Sequence, residues 1–354
     1  MPHPSADNEI NIKRKDSLKN WWAGILYHTE KPVERSMLLF WLNFFSIEMR
    51  KTTFATRPYK YLDITRAYSL DSIHDMIVDT ILSRILIQHA KKLKSPGMTL
   101  PGTMSEMLLK RIVGPGYDKY TSKEKIKRLK RLLNEWNLIC DTLMANSRNH
   151  ELYLDFDLIV FANITAVKEF IPELNIFIGK LLRFTPAALN ISRKLFIWKN
   201  GRKYTDAEEE TIILPASEVF ESSSYNASKL CECIFQGKED PVETPIDFVI
   251  RLVKKTNLFN ALKPNDLANY PFYEWLRLQV EILGQDIMDI PPGTCWFENT
   301  LSPAQQLWLN SRFLNVKDEM QETIVSSLQE IKIFNRHPFS KASDRDESNY
   351  KIGG

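Results

Sequence analysis

The chain is short of glycine, histidine and cysteine, and each shortage removes a class of structure or chemistry. Glycine occurs 12 times in 354 residues. Backbones that need a left-handed turn are correspondingly few, which argues against hairpin-rich β architectures and for helices. The six histidines, His3, His28, His74, His89, His150 and His337, are scattered. None falls in H-E-x-x-H or H-x-H, and no Cys/His spacing fits zinc. The four cysteines, Cys140, Cys231, Cys233 and Cys295, are too few and too dispersed for a disulfide framework. Cys231 and Cys233 form a C-x-C pair, but residues two apart on a helix point to different faces, so ordinary packed thiols are expected. G-x-S-x-G, G-x-x-x-x-G-K-[ST] and G-x-G-x-x-G are also missing, which removes the serine-hydrolase elbow and the common nucleotide cradles. No cofactor and no metal is expected. An acid–base pair assembled from residues distant in sequence stays open, because such pairs form in space.

Long apolar runs are missing too. Ser36 to Ile47 is too short to cross a bilayer, and Asp155 and Asp157 interrupt the run from Leu152 to Val167. The N-terminus, Met1-Pro2-His3-Pro4-Ser5, lacks the basic-then-apolar order of a signal peptide, so a cytoplasmic location is expected. Net charge is only +3, weak for a nucleic-acid binder.

What is present is apolar and aromatic: 8 Trp, 19 Phe and 12 Tyr, with 44% apolar residues overall. A large aromatic core follows. The expected fold class is mainly α, a large single helical domain with two lobes, about 16–145 and 185–334, joined by 146–184. Residues 1–15 are expected to be a flexible tail and 335–354 a disordered one. The stretch 152–164 alternates weakly and reads as a short strand pair or a buried helix.

Apolar spacing predicts helices over 16–27, 33–49, 70–93, 104–113, 121–144, 172–183 and 186–198, with Asp206–Glu210 as an acidic loop. Further helices are predicted near 216–221, 227–236, 244–256, 273–283 and 303–333. The helix over 33–49 is apolar on every side, so it should be central, and Asn43 within it needs a hydrogen-bond partner. Thr121, with Glu124 three residues on, reads as a helix cap.

Two stretches could carry binding. The basic run Lys123, Lys125, Lys127, Arg128, Lys130 and Arg131 suits phosphate contact. It better suits a solvated face opposite Ile126, Leu129, Leu132 and Leu133, because aromatic residues for base stacking are not interleaved in it. Polar residues inside otherwise apolar motifs, Asn43, Glu106, Arg193, Gln285 and Arg312, are the candidate polar pocket.

The order of motifs resembles the bacterial family catalogued as domain of unknown function 1800. The family's aromatic pair, Pro-Leu-x-Glu-Arg-Met start and Phe-Trp-His-Asn-His-Phe block are similar to Trp21-Trp22, Pro32-Val33-Glu34-Arg35-Ser36-Met37 and Phe40 to Phe45. Its Arg-Glu-Leu segment resembles Ser105-Glu106-Met107 with Gly114, Tyr120 and Thr121 following. Its Ala-Arg-x-Leu-x-Gly-Trp helix resembles Arg131, Leu133 and Trp136. Its His-Pro-Ala, Ala-Arg-Lys-Leu and Pro-x-Glu-Phe-Val pieces are similar to Thr185-Pro186-Ala187, Ser192 to Leu195 and Pro245 to Val249. Its Gly-Gln, Pro-Pro, Trp and late Arg look like Gly284-Gln285, Pro291-Pro292, Trp296 and Arg312. The resemblance spans about residues 17–315. It implies a helical fold and a bacterial origin, and its members are typically exported.

The departures bear on function. Where the family has histidines this chain has Leu42, Phe44 and Thr185, the family's Asn-Glu-Asn is missing, and its Arg is Ser105. The expected function is therefore a non-enzymatic structural or protein-interaction component that keeps the fold without the histidines. Another protein is the expected partner. The alternatives are a hydrolase-like enzyme using the polar pocket and a weak nucleic-acid binder using 123–131. The Phe40–Phe45 region is expected to pack against Gln285–Arg312.

Overall fold

The structure is a computed structural model that describes residues 9–45, 47, 52, 55–93, 97–146, 165–236, 243–256, 270–283, 286–288 and 322–327. Among these residues there are helices and no strand, with one isolated antiparallel bridge between Ser72 and Asn226. The mainly α class holds. The segment 152–164, the tail 335–354 and the expected packing of Gln285–Arg312 lie outside the described residues.

The chain groups into two units, Met1–Leu18 with Thr29–Val242 and Met288–Leu301, and Lys19–His28 with Glu243–Ile287 and Ser302–Gly354. The helices over 187–234, expected in a C-terminal lobe, belong to the first unit, where they pack on helices that precede residue 145.

In the first unit, α1 (Glu9–His28) contributes its first half. It begins at Glu9, inside what was expected to be a tail. An i,i+4 ion pair from Lys13 to Glu9 at 2.6 Å supports that first turn, and Lys15 reaches the Thr52 carbonyl at 2.6 Å. Pro32 opens α2 (Pro32–Phe45), in which every residue from Arg35 to Phe45 is buried. A helix with no polar face can only be central. Trp41 Nε1 donates to Ser69 O at 2.9 Å, and Tyr61 of α3 (Thr56–Tyr68) donates to Trp41 O at 3.2 Å. Asn43 Nδ2 donates to Leu39 O at 2.7 Å, one turn back on its own helix.

The predicted helix over 70–93 is two helices, α4 (Ile73–Leu82) and α5 (Ile85–Leu93). The break is at Arg84, whose φ of 63° is left-handed. No glycine or proline marks it, so apolar spacing alone runs straight through. Next come α6 (Leu100–Ile112) and α7 (Lys123–Asn146), whose first turn is capped by Ser122 accepting from Lys125 N, not by Thr121. Helix α8 (Thr165–Arg183) starts seven residues before Pro172, which it contains. A proline removes one backbone donor and can kink a helix without ending it. Helix α9 (Ala187–Asn200) ends at Gly201 with φ 62°, the left-handed stop glycine supplies at low cost.

The expected acidic loop is helical. Thr205 and Glu208 form a capping box, a π turn covers Glu209–Ile213, and α10 (Leu214–Ser222) and α11 (Ala227–Ile234) follow. Hydrogen bonds from Arg202, then from the Thr205 backbone, hold the Glu208 carboxyl down at about 2. Thus Glu208 and Glu209 act as cap and ion-pair partners, not as loop. Cys140 and Cys231 are buried free thiols and Cys233 is half-buried; Cys295 lies outside the described residues.

The second unit joins the end of α1 to α12 (Pro245–Thr256) and α13 (Tyr270–Ile282). Arg277 donates to Asn20 Oδ1 at 2.7 Å across 257 residues and to Glu281 at 2.8 Å. Lys19 pairs with Asp286 at 2.6 Å. Gly24 lets Tyr273 in: a Cβ there would stand 3.0 Å from the ring. Tyr27 meets Phe272 edge-on at 5.0 Å, and Tyr273 OH lies 2.8 Å from His28 Nε2. Burial, and secondarily Lys254, lowers the His28 pKa below 6.5. The unfolded chain therefore takes up a proton on this ring that the folded protein resists. Stability should fall as pH drops below about 6.5 and level off below the folded-state pKa. Urea melts at a series of pH values should show this slope in the wild type and a shallower one in His28→Gln.

Candidate functional site

The C-terminal end of α6 is held by polar side chains of α9. The last carbonyls of a helix have no acceptor role within it and need outside donors. Asn190 Nδ2 of α9 donates to Arg111 O and Ile112 O, each at 2.9 Å, and Lys194 Nζ donates to Arg111 O at 2.8 Å. Gly114 has φ 106°, and a Cβ there would stand 2.9 Å from Asn190 Oδ1. The same Lys194 ammonium lies 5.0 Å from the centroid of the buried Phe44 ring. Lys194 is itself only 6% exposed, a cation held by a carbonyl and a π face. Leu42 is buried, and Thr185 donates its hydroxyl to Leu181 O at 2.7 Å. Ser105 likewise donates to Gly102 O at 2.9 Å.

The candidate pocket residues have these positions. Asn43 is buried and bonds Leu39 O. Glu106 pairs with Lys110 of its own helix at 2.7 Å. Arg193 binds Glu209 of the π turn through Nε at 2.8 Å and through Nη2, and its guanidinium faces the Tyr204 ring at 5.9 Å. Gln285 and Arg312 lie outside the described residues. Among the described residues, no group of three or more His, Cys, Asp and Glu side chains is placed to hold a metal ion.

The basic run gains a neighbour that the sequence does not put beside it. In α7, Leu129, Leu132 and Leu133 are buried while Lys123, Lys127, Arg128, Lys130 and Arg131 are exposed. Arg128 and Arg131 both reach Glu173 of α8, at 3.1 and 2.6 Å. Lys125 lies 5.7 Å from the centroid of the Phe184 ring just past the end of α8, and Arg183 lies 5.6 Å from it. Contacts of 125 with 184 and of 131 with 173 make the two helices antiparallel. Phe184 is 58% exposed, and Ile176, on the same helix face eight residues earlier, is 54% exposed. Lys180, midway between them, is exposed as well. The aromatic residue missing from the run in sequence thus arrives from the neighbouring helix.

Segments 118–131 and 173–184 together hold nine Lys and Arg against three carboxylates, twice the net charge of the whole chain. The seam between α7 and α8 is therefore a strip with two apolar anchors and a cationic rim. The signal available beforehand was the run Lys123–Arg131; Ile176 and Phe184 needed the helix pairing.

Among the described residues no helix is long and apolar enough to cross a membrane. Compared with known proteins, the chain matches no family model, no curated protein and no solved structure.

Replacing Lys194 by Met keeps the apolar stem and removes the ammonium that serves Arg111 O and Phe44. Lys194→Met should lower unfolding stability by about 1–3 kcal/mol, measured by chemical denaturation.

Proposed function

We propose that this protein is a non-enzymatic interaction component that binds an acidic, amphipathic helix of a partner protein on the α7–α8 seam. The observation that carries this reading is the exposed pair Ile176 and Phe184, one helix face apart by two turns, inside a rim of Lys125, Arg128, Arg131, Lys180 and Arg183. Apolar side chains that far apart accept an i, i+7 or i+8 pair from a docked helix, and the cations match carboxylates on its flanks. Arg128 and Arg131 already engage one surface carboxylate, Glu173, which is the chemistry a partner's Asp or Glu would offer. Ile176 favours a protein partner over a nucleic acid, since an aliphatic anchor gives a base no stacking face.

The resemblance to the domain of unknown function 1800 family supports the same reading. On that correspondence, Leu42, Phe44 and Thr185 stand where the family has histidines, and Lys194 over Phe44 does a packing and capping task there. The fold would then be inherited and the polar chemistry replaced.

A fluorescein-labelled acidic amphipathic peptide of about 15 residues, with Leu eight positions apart, tests the seam directly by anisotropy. Binding is expected at low salt and should weaken as salt screens the rim. Phe184→Ala and Lys125→Glu should each raise Kd about tenfold, near 1.4 kcal/mol. No peptide binding, or binding indifferent to both substitutions, overturns the proposal. Tight binding of an oligo-dT strand in the same assay, with the peptide inert, would replace it by a nucleic-acid function.

A further inference from the structure

Between α4 and α5 the chain does two expensive things at one residue. Arg84 takes a left-handed backbone, φ 63°, which a side chain with a Cβ disfavours. Its side chain is also buried: the residue is 4% exposed. Within that burial Nε and Nη1 have no hydrogen-bond partner, and Nη2 approaches Asp141 Oδ1 only to 3.9 Å. A guanidinium offers two forks, one from Nε and Nη2 and one from Nη1 and Nη2, each matched to a pair of oxyanion oxygens. In Arg84 each fork has an empty donor.

The surroundings are polar and equally unfinished. Gln88, one turn on along α5, has a buried Oε1 without a partner. From α7, Asn137 and Asp141 are joined by a hydrogen bond of 3.1 Å, and the Asn137 Oδ1 is buried without a partner. Cys140 lies on the same face of α7, and its buried thiol feels Arg84, Arg57 and Lys91 as well as Asp141. Four charges thus converge here, three of them positive. The start of α5 adds the positive end of a helix dipole at the residue where the guanidinium is rooted. A buried guanidinium with one carboxylate at 3.9 Å and two donors unbonded is under-compensated, and an oxyanion reaching it would complete its hydrogen bonding. Asp141, with its side chain 47% exposed, marks the side from which solvent and solutes reach Nη2.

We propose that Arg84 is the centre of a binding site for a small oxyanion, a phosphate or carboxylate group, entered past Asp141 and held by the two forks of the guanidinium. This site is separate from the α7–α8 seam: it uses the far half of α7, four turns from Lys125, and stands or falls independently of the interaction reading.

Thermal melts and titration calorimetry on the full-length protein test it with inorganic phosphate and with acetate as probes, against sodium chloride of matched ionic strength. Saturable binding of either probe is expected, with a Tm rise of roughly 5 °C at about a hundredfold excess over Kd. Phosphate acting alone names a phosphate group; acetate acting equally well names a carboxylate. Arg84→Gly, which suits a positive φ, should fold and melt at or above the wild type in chloride, yet lose the response to both probes. Arg84→Asn, a second residue that tolerates this backbone, should behave likewise. Asp141→Asn should bind the probe more tightly, because a competing carboxylate is gone. Absence of binding by both probes, or binding unchanged in Arg84→Gly and Arg84→Asn, overturns the proposal.

Discussion

The carbonyl groups at the end of α6 govern how the first unit is put together. The last carbonyls of a helix need donors from outside it, and α9 supplies them through Asn190 and Lys194. Because the donors sit one turn apart on a single helix, α9 is fixed in register as well as in place. The Lys194 ammonium also lies over the face of Phe44, and that ties the central helix α2 to the same point. Trp198, one turn further along α9, donates to Ser36 at 2.9 Å and extends the attachment along α2. Hydrophobic burial supplies the bulk of the driving force, but it does not choose between sliding positions. These few directional bonds do.

Much of the fold was legible in the sequence because apolar spacing is a strong signal wherever a helix has a buried side. The central position of α2 follows from its lack of any polar face, and the helices at 123–146 and 245–256 follow from theirs. The failures have a common cause: backbone decisions made by residues that do not announce them. Arg84 ends a helix without being glycine or proline. Pro172 sits inside one without ending it. Thr205 and Glu208 turn an acidic stretch into a helix start, and Glu9 pairs with Lys13 to begin α1 where polar composition suggested a tail.

The candidate sites divide in the same way. A basic run is visible as a string of letters, whereas the apolar anchors that give it shape, Ile176 and Phe184, belong to a helix that reaches it only by packing. Asn43, Glu106 and Arg193 looked alike in sequence as polar residues within apolar motifs. In the fold they do three different things: Asn43 bonds its own helix, Glu106 carries a surface ion pair, and Arg193 fastens the π turn. Polarity in an apolar context marks a residue with a task, and only the neighbours say which task.

That π turn has a consequence for how this chain can vary. A π turn holds one residue more than the α turn it replaces, so it behaves as an inserted residue absorbed within a helix instead of in a loop. It ends two residues before Pro215, whose ring would press on the carbonyl of Thr211 in a regular helix. The extra residue loosens that spacing, and it brings Glu209 round to Arg193 while Ala216 and Phe220 keep their places in the core. Loss of a single residue between 209 and 213 would restore the regular winding and turn the preceding helix surface by about 100°. Glu209 would then leave Arg193, and the segment from Thr205 would present a different face. Length variation here, unlike in a loop, re-addresses an entire surface.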